Sequence, residues 1–301
     1  MLSRVAENLY WIARYVERAD NVARLLDDAY HRELDVGATG GRPLAAVVRM
    51  LGCHETLPDD DRGRAMSYLS FDRAGSSSIR SMIARARENA RGTQEALSSE
   101  AWSHLNQLHL YLNGPKARAR LESSPLRFLD RVRRDCLLFE ALVDGTLPRT
   151  EVFHFLQLGR YLERVDMTSR ILQARFQGGA PGEGIATWVG LLRSCSAHEA
   201  YLQQARERID PVGVVGFLVL RPDFPRSLRF GVARGLESLR AIAGDGAWGA
   251  PAERQLGRLD GDLRYADADE LFVRGVGEFL VDVQEACALA ASEIHRAYFL
   301  N

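Results

Sequence analysis

Residues 14–26 read RYVERADNVARLL, and residues 160–172 read RYLERVDMTSRIL. Seven of these thirteen positions are identical: Arg14/Arg160, Tyr15/Tyr161, Glu17/Glu163, Arg18/Arg164, Asp20/Asp166, Arg24/Arg170 and Leu26/Leu172. Six of the seven are charged or Tyr, whereas apolar positions drift, as at Val16/Leu162, Ala19/Val165 and Ala23/Ser169. A solvated face should drift faster than a core, so the matched charges point to a paired role.

The similarity runs outward from this stretch. LAAVVRMLGCHETL (44–57) aligns with WVGLLRSCSAHEAYL (188–202), matching Arg49 to Arg193, His54 to His198 and Glu55 to Glu199. SIRSMIARARENAR (78–91) aligns with SLRFGVARGLESLR (227–240), matching Arg80/Arg229, Arg85/Arg234, Glu88/Glu237 and Arg91/Arg240. A fainter block pairs Phe128 with Phe272 and Val132 with Val276. Gly-rich breakers, GATGGRP (37–43) and GGAPGEG (178–184), follow the first long helix of each half. The reading is one domain over 1–301 made of two related multi-helix repeats, approximately 1–146 and 147–301, with pseudo-twofold symmetry.

Helical periodicity dominates. Val5, Leu9, Ile12, Val16, Ala19, Ala23 and Leu26 step by fours and threes, and Phe155, Leu158, Leu162, Val165, Ser169 and Leu172 repeat the seam. Such a stripe is the buried face of an amphipathic helix. No segment sustains period-two alternation, and the apolar run Val212–Leu220 between prolines reads as a short buried helix. Helices are expected over about 3–30, 43–57, 76–112, 125–145, 150–177, 186–209, 213–220, 225–243, 252–263 and 269–298. The fold class is therefore an all-α helical bundle.

Composition narrows the function classes. The 301 residues carry a net charge of −1, so no global field draws the chain to nucleic acid or an anionic membrane. Lys116 is the only lysine among 39 basic residues. Arginine holds carboxylate and phosphate with a planar fork, a reading reserved for the repeated Arg positions. Cys53, Cys136, Cys195 and Cys287 have no C-x-x-C spacing and read as buried thiols in a reducing cytoplasm. Charges interrupt the N-terminal apolar residues, which argues against a signal peptide, and no apolar run reaches membrane-spanning length.

Arg14, Glu17, Arg18 and Arg24 lie broadly opposite the apolar seam of the first helix, with Asp20 at its margin. Tyr10 and Trp11 share that side, so a central position is favoured over a solvated one. A buried Glu17 or Glu163 needs Arg partners, supplied by Arg14, Arg18, Arg160, Arg164, Arg85 or Arg234. The network then either satisfies itself and fixes register, or keeps spare donors facing a cavity that binds an anion.

Other motifs carry less. His54-Glu55 and His198-Glu199 recur, but adjacent residues on a helix diverge by about 100°, and no Glu-x-x-His accompanies them. No metal and no cofactor is expected. Asp59-Asp60-Asp61 reads as a turn, and no Ser/His/Asp order or G-x-S-x-G motif marks a catalytic site.

The chain resembles the bacterial alpha-E domain family, an all-helical family with an E-R motif. The resemblance is carried by SRVAENLYWIARYVERADNVARLL, SSIRSMIARARENARGTQEALSSEAWSHLNQLH, FLQLGRYLERVDMTSRIL, WVGLLRSCSAHEAYL, VVGFLVLRPDFPRSLRF and IHRAYF, nearly the whole chain. It implies a genomic companion of circularly permuted ATP-grasp ligases, alongside transglutaminase-like and proteasome-like hydrolases. The expectation is thus an accessory protein of an amide (peptide) ligase system. It would bind ligase, peptide or an anionic group through the repeated Arg/Glu face. In that role Arg14, Arg18, Arg160 and Arg164 hold the anion, and Glu17 and Glu163 orient the forks or an amine. Arg80, Arg85, Arg229 and Arg234 line the facing helices. Asp20, Arg24, Glu88, Asp166, Arg170 and Glu237 complete the face, with His54, Glu55, His198 and Glu199 as secondary candidates. The alternatives are a stand-alone enzyme with a polar bundle-core pocket and a scaffold whose ion-pair network is purely structural.

Overall fold

The structure, a computed structural model, describes residues 1–36, 43–53, 62–73, 77–176, 184–204, 209–244 and 250–300. Fifteen α-helices run through them: α1 (Ser3–Val36), α2 (Pro43–Met50), α3 (Arg62–Phe71), α4 (Ile79–Gly92), α5 (Ser99–Asn113), α6 (Pro115–Ser123), α7 (Pro125–Thr146), α8 (Glu151–Gln173), α9 (Ile185–Ser194), α10 (His198–Gln204), α11 (Pro211–Leu220), α12 (Leu228–Ala243), α13 (Ala250–Tyr265), α14 (Ala268–Arg274) and α15 (Val276–Tyr298). No strand occurs among the described residues. The all-α class is correct, and Val212–Leu220 lies within helix α11. His54, Glu55, the triple Asp and nearly all of both Gly-rich breakers lie outside the described residues.

Several expected helices are divided. The stretch 76–112 breaks after Gly92 into a 3-10 turn, Gln94–Ala96, before Ser98 starts α5. Thr93 turns its hydroxyl back onto the Asn89 carbonyl (3.0 Å), and Ser98 accepts from the Ala101 N–H (3.2 Å). Each side chain replaces a helical bond the backbone gives up. The expected 43–57 helix ends at Met50, and 186–209 breaks between α9 and α10. Both stops have one geometry. The Gly52 and Cys53 N–H groups reach back to Arg49 and Val48, and Ser196 and Ala197 reach back to Arg193 and Leu192. Gly52 sits at φ 67° and Ser196 at φ 49°. This is a Schellman stop, which favours glycine at its left-handed position. Gly275, at φ 101°, divides 269–298 into α14 and α15.

The chain forms two compact units, residues 11–148 and residues 1–10 with 149–301. In the first, α4 packs on α5 and α3, and α5 and α6 pack on α7. Arg133 of α7 pairs with Asp27 of α1 at 3.2 Å. Ser98 and Thr146, bonded at 2.7 Å, join the start of α5 to the end of α7.

In the second unit α8 is the axis, packed against α12 and α15. Fifteen of its 23 residues are buried, which is a helix covered on nearly every side. Two close approaches make this possible. A Cβ on Gly159 would collide with the Tyr10 carbonyl oxygen and stand 3.0 Å from its carbon. A Cβ on Gly231 of α12 would stand 2.5 Å from Val165 Cγ2. Phe155 of α8 and Phe299 meet Tyr10 and Tyr298 in an aromatic cluster, with Tyr10–Phe299 at 5.5 Å and Phe155–Tyr298 at 5.5 Å.

One local device occurs in each unit at the spacing of the third sequence block. Ser78 caps α4 by accepting from the Ser81 N–H, and its hydroxyl donates to the Asp72 carbonyl. Ser227 caps α12 by accepting from the Phe230 N–H, and its hydroxyl donates to the Arg221 carbonyl.

Candidate functional site

The E-R stretch of α1 is buried on both its apolar and its charged side. Val16, Ala19, Val22 and Ala23 are inaccessible or nearly so, and Glu17 and Asp20 are equally sealed at 0% exposure. Arg24 is buried beside them and donates Nε to Asp20 Oδ2 at 2.7 Å. Asn21 Nδ2 donates to Glu17 Oε1 and to the Glu17 carbonyl, each at 2.9 Å, and so orients that carboxylate. Cys136 of α7 is close enough to respond. Burial first, and then the Asp20 charge among others, pushes its thiol well above the ordinary range. It stays protonated and inert.

The matching stretch of α8 is buried in the same way at its centre. Glu163 is sealed, and Arg160 and Arg164 are buried with Gln157 and Thr168. Arg160 donates to Gln157 Oε1 and to the Tyr161 hydroxyl. The equivalent of the Asp20–Arg24 pair, Asp166–Arg170 at 2.9 Å, instead lies toward solvent, with Arg170 44% exposed. A charge buried at this depth is tolerated only with partners.

Beside its own buried charges each unit carries a column of guanidinium groups and aromatic rings. In the first, Arg14 lies over Trp11 (5.1 Å), Trp11 stacks on Tyr15 (5.4 Å), and Arg85 of α4 lies over Tyr15 (5.9 Å). In the second, Arg160 and Arg164 lie over Tyr161 (4.8 and 5.7 Å). Tyr161 meets Phe230 edge-on (6.0 Å), and Arg234 of α12 lies over Phe230 (5.2 Å). Arg14/Arg160, Tyr15/Tyr161 and Arg85/Arg234 are matched positions of the sequence alignment. Each cation–π contact contributes roughly 0.5–1 kcal/mol where exposed. A guanidinium held over a ring face still has N–H donors available for a planar anion.

The outer ends of the columns reach the surface. Arg85 is exposed and has no carboxylate partner among the described residues. Arg234 is 49% exposed and pairs with Glu237 at 2.6 Å. Glu88 lies between Arg87 and Arg91, whose hydrogen bonds hold its carboxyl below the ordinary range.

The face expected from sequence thus divides by depth. Glu17, Asp20 and Arg24 are buried in the one unit and Arg160, Glu163 and Arg164 in the other, while Arg85, Glu88, Arg170, Arg234 and Glu237 are exposed. Arg14, Arg18, Asp166 and Arg229 are half-buried. Arg80 departs from this face and turns to Asn113 of α5, while Arg229 reaches the Leu220 carbonyl (3.4 Å). His198 is half-buried and 3.7 Å from the exposed Glu199, and among the described residues no group of three or more metal-ligating side chains forms there. Trp11 and Phe230, with no matched aromatic in the other half, are site residues the alignment did not mark. The identity of Tyr15 and Tyr161 was the signal for the columns.

A family model, Alpha-E, described as a predicted alpha-helical domain with a conserved ER motif, matches residues 1–299. The chain belongs to this family. No curated protein and no solved structure matches it. Among the described residues no helix is long and apolar enough to cross a membrane.

Proposed function

We propose that this Alpha-E protein is a non-catalytic accessory subunit of an ATP-grasp amide ligase system. It would grip a carboxylate or phosphate group of the ligase, its peptide acceptor or an acyl intermediate. The observation that carries this reading is the pair of guanidinium–aromatic columns. Each is anchored on a buried Glu-Arg spine and ends in an exposed arginine, Arg85 or Arg234. A rigid base under an exposed Arg fork lowers the ordering cost of binding an anion. Placement in a ligase system, and in the cytoplasm, rests on the family resemblance, and a transglutaminase-like protein is a further candidate partner.

The test is co-expression with the ATP-grasp protein of the same locus, followed by size-exclusion chromatography and ATP-turnover assays. Co-elution with altered turnover, weakened by Arg85→Glu and Arg234→Glu, supports the reading. Separate elution with unchanged turnover overturns it.

A second reading is favoured by the full burial of Glu17 and Glu163. In it the spine is a structural ionic lock, and apolar replacements of similar volume retain partner function.

A further inference from the structure

The first unit contains a cavity of about 560 Å³ where the end of α3 and the start of α4 meet the junction of α5 and α6. Its volume falls in the range of small-molecule sites. Among the described residues four arginines line it, Arg64, Arg73, Arg80 and Arg118, against one carboxylate, Asp72. Arg73, Arg80 and Arg118 outnumber that carboxylate three to one.

Arg80 is the decisive residue. It is only 8% exposed, and burial of a guanidinium normally demands a carboxylate. Here Nε (2.8 Å) and Nη2 (2.5 Å) both donate to one neutral acceptor, Asn113 Oδ1. Asn113 is oriented for this by donating its own Nδ2 to the His109 carbonyl at 2.8 Å. No salt bridge to Arg80 occurs among the described residues, and its charged neighbours of consequence, Arg73 and Arg118, repel it. Burial first, then these two like charges, lower its pKa. Arg118 is fixed over the Phe71 ring at 4.8 Å, so its fork is held at the cavity wall. Gly114 and Pro115, the cap and first residue of α6, also line the cavity, and no side chain caps that helix. Its uncapped N–H groups add positive potential at the wall.

We propose that this cavity is a binding site for a phosphate chain, a di- or triphosphate group, held by Arg80, Arg118 and Arg73. A single carboxylate would leave most of the lining charge unbalanced. A phosphate chain carries several charges in a compact volume and accepts forked hydrogen bonds from more than one guanidinium. Phosphate-chain binding is separate from the Arg85 and Arg234 columns and holds whether or not the ligase reading does.

The experiment is calorimetric titration of the full chain with pyrophosphate and tripolyphosphate. Orthophosphate and citrate at matched ionic strength are the comparators. The expected result is saturable one-site binding, tighter for tripolyphosphate than for orthophosphate. Arg118→Gln and Arg80→Gln each weaken it about tenfold or more, as loss of a charged hydrogen-bonding partner should. Arg254→Gln, an exposed change in the other unit, leaves it unchanged. Circular dichroism verifies folding, and if Arg80→Gln fails to fold, the exposed Arg118→Gln decides. No saturable binding, binding that survives Arg118→Gln, or citrate binding as tight as tripolyphosphate would overturn the proposal.

Discussion

Gly159 faces the main chain of Tyr10 so closely that no side chain fits between α8 and the start of α1. The obstacle is backbone, which cannot rotate away as a side-chain tip can. Gly159→Ala is expected to destabilise by about 1–3 kcal/mol, the usual cost of overpacking a core, despite the better helix propensity of Ala. Urea denaturation followed by circular dichroism measures it. An unchanged midpoint would show that the helices separate freely here.

Ser196 and Gly52 hold equivalent positions in the two Schellman stops, both at positive φ. Only glycine takes that conformation without steric cost. Ser196→Gly should therefore stabilise by about 0.5–1 kcal/mol, and Gly52→Ala should destabilise by about 1 kcal/mol. Opposite signs in thermal melts are the expected outcome.

The pairs Asp20–Arg24 and Asp166–Arg170 have nearly the same length, 2.7 and 2.9 Å, but different surroundings. Asp20→Asn removes one charge of a buried ion pair and should cost about 3–5 kcal/mol. Asp166→Asn breaks a solvent-screened helical pair and should cost about 0.3–0.5 kcal/mol. Equal losses in chemical denaturation would show that burial does not separate the two pairs.

Burial holds the His154 imidazole below its ordinary pKa, only partly countered by Glu237. His109 is lowered as well, by burial first and then by Arg87. A folded pKa below the unfolded value means the unfolded chain takes up protons first as pH falls. Their contribution is intact above about 6.5 and is lost on acidification through that value. Melting temperatures measured from pH 8 to pH 5.5 should fall less steeply for His154→Gln than for the unaltered chain. Parallel curves would remove His154 from the linkage.

The long helices were legible because their apolar seams are continuous: Val5 to Leu26 and Phe155 to Leu172 each mark one buried stripe. Their interruptions were legible only where the chemistry is explicit. Gly52 is an ordinary stop signal, whereas Ser196 makes the same turn without the residue that advertises it. The Gly92–Ser98 break was hidden because Gln94-Glu95-Ala96 has good helix propensity, and the Thr93 and Ser98 hydroxyls act only once the turn exists. The matched charges of the E-R stretch marked the buried spine. The columns were half visible: Tyr15 and Tyr161 match, but Trp11 and Phe230 enter from unmatched positions. The α3–α6 cavity was invisible in sequence, because Arg64, Arg73, Arg80 and Arg118 are dispersed and meet only through tertiary packing.

Residues 1–10 cluster with 149–301, although they belong to the same continuous helix, α1, as residues of the other unit. The contact between Tyr10 and Gly159 therefore joins positions nearly half the chain apart, and the one between Tyr10 and Phe299 nearly its whole length. During synthesis the first turns of α1 must wait, unpacked, until α8 and α15 have been made. Long-range closure of this kind slows folding and leaves apolar surface exposed in the interim. A chain cut after Pro148 would retain Leu9 and Tyr10 without the residues that bury them. The first turns of α1 are thus buried by helices that are made long after them.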